Sequence, residues 1–109
     1  MANEMNEMKI NDEYGSITYN LSVFSAIARN AVEESDQAEV AESSKRFKAD
    51  KICRIEDGRL YISLPIRVSY SANVTDVCAS LQSKIFESIE YMTDYKPEAI
   101  EIQVVGFIF

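Results

Sequence analysis

Between Gly58 and Tyr70 the chain reads GRLYISLPIRVSY, and no other segment limits the fold so tightly. Apolar and polar residues alternate with a period of two, as they do in a strand with one buried and one wet face. Leu60, Ile62, Leu64, Ile66, Val68 and Tyr70 fall on one side; Tyr61, Ser63, Pro65, Arg67 and Ser69 fall on the other. Six apolar residues on one side of a single strand require a cover. Pro65 has no N–H, which predicts an edge position, a bulge or a missing donor aimed at solvent. If that edge is open, Pro65 guards it against strand addition, and Pro65→Val should raise aggregation.

The residues just before this strand predict its first neighbour. Ile52-Cys53-Arg54-Ile55-Glu56 is followed by Asp57-Gly58, a pair suited to the two positive-φ positions of a type I′ turn. A two-residue turn sets Glu56 opposite Arg59, Ile55 opposite Leu60, Arg54 opposite Tyr61 and Cys53 opposite Ile62. This register sorts apolar pairs to one face and polar pairs to the other. Farther out, Lys51 would face Leu64 on the buried side, so the first strand is expected to bulge or to begin near Ile52.

The cover follows the long strand. Asn73 is a capping residue with Asp76 at the third helical position, and Val74, Val77, Cys78, Leu81, Ile85, Ile89 and Met92 form an apolar stripe. Pro97 marks the end of this helix. Ile100, Ile102 and Val104 then alternate with Glu101 and Gln103 in a last strand ending at Gly106. A strand, helix and strand in one sheet cross over right-handedly, so the last strand should run parallel to the long one. Earlier in the chain, Ser16–Tyr19 is a short extended segment. Asn20 or Ser22 caps a helix carrying Val23, Phe24, Ile27, Ala28, Ala31 and Val32. The segment SDQAEVAESSKR lacks a sustained apolar face and is expected to be a loop or a frayed turn. Residues 1–14 are expected to be a disordered tail, and residues 15–109 a single domain. The expected fold class is α+β: a two-layer sandwich in β-α-β-β-α-β order, with both helices on one face of a mixed sheet.

Composition narrows function mainly by exclusion. The 109 residues contain no histidine and two cysteines without CxxC spacing, so no metal or cofactor site is expected, and Cys53 and Cys78 are read as reduced packing residues. The glycines are too scattered for a phosphate loop, serine lacks a histidine base, and no two carboxylates stand out as a pair. No catalytic residue is assigned and no enzyme is expected. The N-terminus lacks a secretory pattern and no apolar run is long enough to span a bilayer, so a cytoplasmic location is expected. A net charge of -7 argues against DNA and against general RNA binding.

The apolar order resembles a known family. Gly15-x-Ile17, Val23, Ile27, Ala28 and Ala31, the strand ending at Tyr70, Val74, Val77, Gln82, Lys84, Ile85, Ile89 with Met92-Thr93, and Ile100, Ile102, Val104 and Gly106 together resemble the alkaline shock protein family. This is the envelope stress response family of Gram-positive bacteria. Asp94 stands where such proteins usually carry glycine after the helix. The resemblance implies a protein of cell-envelope homeostasis or stress, able to self-associate and in some members recruited to the membrane by a separate anchor protein. It carries over no catalytic residue.

Against an acidic whole, one stretch is basic. Lys45, Arg46, Lys48, Lys51, Arg54, Arg59 and Arg67, with Tyr61, form the candidate interaction surface. A protein partner, including an anchor protein or a second copy, is the leading expectation, and docking of the basic stretch on anionic lipid is another. The alternative to a scaffold is a small RNA-binding α+β module, which would lack a GxxG loop and RNP-type aromatics here. Ile52 and Val105 are expected near the polar sheet face. Tyr91 and Tyr95 are read as cover at the sheet margin, Met92 as a core filler, and Phe107 of the terminal GFIF as packing on the domain.

Overall fold

The computed structural model describes residues 7–12, 15–41 and 52–109. The order is β1 (Glu7–Asp12), β2 (Gly15–Asn20), α1 (Leu21–Glu33), β3 (Ala38–Val40), β4 (Cys53–Glu56), β5 (Arg59–Ser69), α2 (Val74–Thr93) and β6 (Ala99–Ile108). The class is α+β, and the six expected elements appear in the expected order. Two further strands correct the reading of the N-terminal half. Glu7–Asp12 is not tail: it pairs antiparallel with β2 in a separate two-stranded sheet, Ile10 opposite Ile17 and Met8 opposite Tyr19. The alternation of Met8-Lys9-Ile10-Asn11 answers that of β2, a match visible only once the two segments are set side by side. Within the expected loop, Ala38–Val40 forms β3, with Ala38 opposite Val68 and Val40 opposite Ile66.

The hairpin adopts the register that its side chains require. Asp57 and Gly58 have φ of 54° and 73°, as a type I′ turn demands, and Cys53 to Glu56 pair with Ile62 to Arg59 in descending order. β5 and β6 are parallel, joined through α2. β5 is thus the middle of a four-stranded sheet. β6 runs along one side of it, while β4 and then β3 occupy successive parts of the other.

Pro65 lies where β4 has ended and β3 has barely begun. Its carbonyl accepts from Ala41 N at 2.9 Å, so its missing donor faces the junction of those two strands and costs β6 no ladder bond. Pro65 therefore does not guard an open edge, and the basis for expecting aggregation from its replacement is removed.

Leu60, Ile62, Leu64, Ile66 and Val68 are all buried. Each such side chain contributes about 1.5–3 kcal/mol on removal from water. Leu21, Phe24, Ile27, Ala28, Ala31 and Val32 of α1 and Val77, Leu81, Ile85 and Ile89 of α2 meet them. Asn20 caps α1, accepting from Ser22 N at 3.0 Å, and Asn73 caps α2, accepting from Asp76 N at 3.1 Å.

Several margin residues depart from expectation. Val23, Tyr70, Tyr91 and Met92 are exposed. The buried row of α2 proceeds by fours through Ile85 and Ile89 to Thr93, whose hydroxyl donates to Ile89 O at 2.7 Å, and this leaves Met92 outside. Ile52 lies in the core rather than near the polar face. Tyr95 does cover the margin: its ring lies 6.4 Å from that of Phe24, and its hydroxyl donates to Gly58 O at 2.6 Å.

Two predictions follow from these environments. Asp94 ends α2 at φ 60°, in the left-handed region, and Asp94→Gly should raise stability by about 0.5–1 kcal/mol. The urea midpoint should rise without a change in m. Burial pushes the Cys53 thiol up from an ordinary 9.0 to about 12, so the fold favours the neutral form. The stability this gives is intact below pH 9 and is lost as pH rises toward 12, with a slope of up to about 1.4 kcal/mol per pH unit. Urea titrations across that window should show a shallower decline in Cys53→Ala.

Candidate functional site

Among the described residues, helices cover one face of the sheet only. On the other face the odd-numbered residues of β5 stand between side chains of β3, β4 and β6. Arg54 of β4 lies over the Tyr61 ring at 4.9 Å and bonds Glu56 through Nε at 3.1 Å. Ser63 Oγ donates to Glu101 Oε1 at 3.2 Å and accepts from Gln103 Nε2 at 3.0 Å. Arg67 Nη1 donates to Glu39 Oε2 at 2.8 Å. Of the expected interaction residues, the sheet gathers Arg54, Arg59, Tyr61 and Arg67 on this face. Lys45, Arg46, Lys48 and Lys51 lie outside the described residues. Sequence reasoning misses Glu39, Glu101 and Gln103 as partners of the face, because the three-residue β3 reads as a loop and cross-strand pairs need the register of β6.

The bonds change the meaning of the basic residues. Arg54 and Arg67 each hold a carboxylate, and Glu101 adds a further negative charge, so the face is a mixed polar mosaic. Exposed pairs of this kind contribute little to stability. Among the described residues, no three metal-ligating side chains come together. Glu34 is held below the usual carboxylate range by its hydrogen bond and charge contact with Lys84, 2.7 Å away, a link between α1 and α2. Burial raises Tyr95, with its acceptor Gly58 at the hairpin turn. Glu34, Tyr95 and Cys53 belong to separate structural contacts, and their shifts mark packing and helix pairing.

The outer side of β6 differs from this mosaic. Among the described residues β6 pairs with β5 alone. Its sequence AIEIQVVGFI carries one charge and no lysine or proline, the residues that commonly blunt an edge. Val104, Val105 and Phe107 are exposed, and Phe109 stacks on exposed Tyr70 with ring centroids 5.5 Å apart. Phe107 is 48% exposed, so the expected packing of that ring on the domain is not what the structure shows. The strand carries a bulge, and beyond it Phe107 falls opposite buried Val68. Val104 pairs with Ile66 but Gly106 with Arg67, which leaves Val105 as the extra residue. One side chain from α2 reaches this edge: Gln82 Nε2 donates to Ile100 O at 3.0 Å.

A model of the alkaline shock protein 23 family, described as having a cell envelope-related function, matches residues 9–109. The chain belongs to the alkaline shock protein family. The match begins inside β1 and includes both helices and the whole four-stranded sheet, so the N-terminal hairpin lies largely within the family domain. No curated protein and no solved structure gives a significant match. No helix of the described residues is long and apolar enough to cross a membrane.

The polar face of this family member should tolerate substitution. Arg67 and Glu39 have side chains 37% and 51% exposed, and replacing both by glutamine should cost less than about 1 kcal/mol. Their coupling in a double-mutant cycle should shrink further as salt is added.

Proposed function

We propose that this protein is a non-enzymatic assembly module of cell-envelope homeostasis, acting on the cytoplasmic side as a self-associating or partner-binding scaffold. The observation that carries the reading is the outer edge of β6, a ten-residue strand with no neighbouring strand on one side among the described residues. Such an edge offers hydrogen bonds to an incoming strand, and Val104, Val105 and Phe107 offer apolar surface beside them. Family membership supplies the envelope context. Contact with the membrane would then come through a protein partner. The polar mosaic gives less support to direct docking on anionic lipid, since Arg54 and Arg67 already face carboxylates. RNA reading is less favoured still: Tyr61, the aromatic of this face, lies beneath Arg54.

The test is made in cells lacking the protein. A Val105→Lys/Phe107→Lys chain, shown by circular dichroism to be folded, should fail to restore tolerance of envelope stress. It should also leave the large complexes that the wild-type chain joins, at equal abundance. Full rescue by that variant, with unchanged complexes, would show that the β6 edge is not the working surface.

A further inference from the structure

The backbone of β5 determines which groups of β6 face outward. Odd-numbered residues of β5 turn their N–H and C=O toward β3 and β4: Arg59 pairs with Glu56 beside the hairpin turn, Ala41 N donates to Pro65 O, and Ser69 N donates to Gln37 O. Even-numbered residues therefore serve β6, as the bond from Tyr70 N to Ile108 O shows. In a parallel ladder with Ile62 opposite Ile100, Ile62 bonds the flanking Ala99 and Glu101. Ile100, Ile102 and Val104 consequently direct their backbone groups away from the sheet. The Ile100 carbonyl among them is held by Gln82.

We propose that a second copy of this chain adds to β6, antiparallel and related by a two-fold axis at Ile102, and that Gln82 competes with it for the edge. This rests on the assembly reading above and names its partner. The choice of a second copy comes from the side-chain sequence of the edge. Centred on Ile102, antiparallel pairing sets Ile100 opposite Val104 of the second copy and Ile102 opposite its own equivalent. It sets Glu101 opposite Gln103 of the second copy, so a carboxylate meets an amide donor. Centring on Glu101 instead would oppose two carboxylates. Centring on Gln103 would run the partner strand into the bulge at Val105, where the ladder loses its frame. The register at Ile102 opposes no like charges and meets the bulge only at the terminal residue of the strand, Ala99. It also requires the Ile100 carbonyl, so the Gln82 side chain must release it on each copy before the ladder is complete.

The test uses the full chain carrying Cys78→Ser, because Cys53 is buried. Glu101→Cys and Gln103→Cys versions are mixed and oxidised. In this register the two positions form a non-hydrogen-bonded pair with Cα atoms about 4.5 Å apart, within disulfide range. The mixture should give cross-linked dimer as the main product, and each version alone should give little. In sedimentation equilibrium, Gln82→Ala should tighten the dimer on the order of tenfold, one hydrogen-bond competitor being removed from each copy. Val104→Lys should weaken it comparably while circular dichroism stays unchanged. Equal cross-linking in all three samples overturns the register, and an unchanged dissociation constant in Gln82→Ala overturns the competition. A monomeric mass at every concentration reached overturns pairing with a second copy. That last result leaves the broader scaffold reading to the cellular rescue, which can succeed or fail independently.

Discussion

The structure depends on one buried row. Leu60, Ile62, Leu64, Ile66 and Val68 project from β5 into the only layer where two helices can cover them, and the period of two fixes their phase. A shift of one residue would turn that entire row toward water and bring Arg59, Ser63 and Arg67 into the core. Each neighbouring element conforms to this strand. The hairpin copies its register, α2 returns the chain for a parallel partner, and α1 closes the remaining apolar surface. Because both helices lie on one side, the sheet is asymmetric: one face is committed to stability and the other is covered by small polar contacts between strands.

Where local rules suffice, this design was legible from the amino-acid order. Asp57-Gly58 announced its turn, Asn73 its helix, and the pairing from Cys53–Ile62 to Glu56–Arg59 followed from matching apolar with apolar. What escaped was set by distance. β3 has three residues, and its place becomes clear only when Val40 meets Ile66 across the sheet. β1 reads as a charged lead-in until Ile10 is set against Ile17. Met92 leaves the apolar stripe, and Thr93 takes the inward place, because the buried row steps by four from Ile89. Phe107 is half-exposed although the extra residue at Val105 sets it opposite buried Val68, and a bulge leaves no sure trace in composition. The candidate site was legible in part. Arg54, Arg59, Tyr61 and Arg67 do share a face, but the carboxylates that meet two of those arginines were not foreseen.

For a member of a family with a cell envelope-related function, this asymmetry separates two duties. The helix-covered face maintains the fold. The rim of the sheet can change its contacts with little effect on the interior, since the residues there are exposed and the bonds they make are individually weak. A surface of that kind is compatible with the association proposed for it, which needs reversible contacts.

The junction beside Pro65 has a consequence for how such chains diverge. β3 and β4 share one side of β5, and the chain leaves beside Pro65 at Ala41 and re-enters beside Ile62 at Cys53. Exit and re-entry are therefore neighbours, and the span joining them can lengthen or shorten with only a small entropic penalty. Insertions and deletions would accumulate there without disturbing the interior, making it the natural place for lineages to acquire new charge patterns while the rest of the domain stays constant.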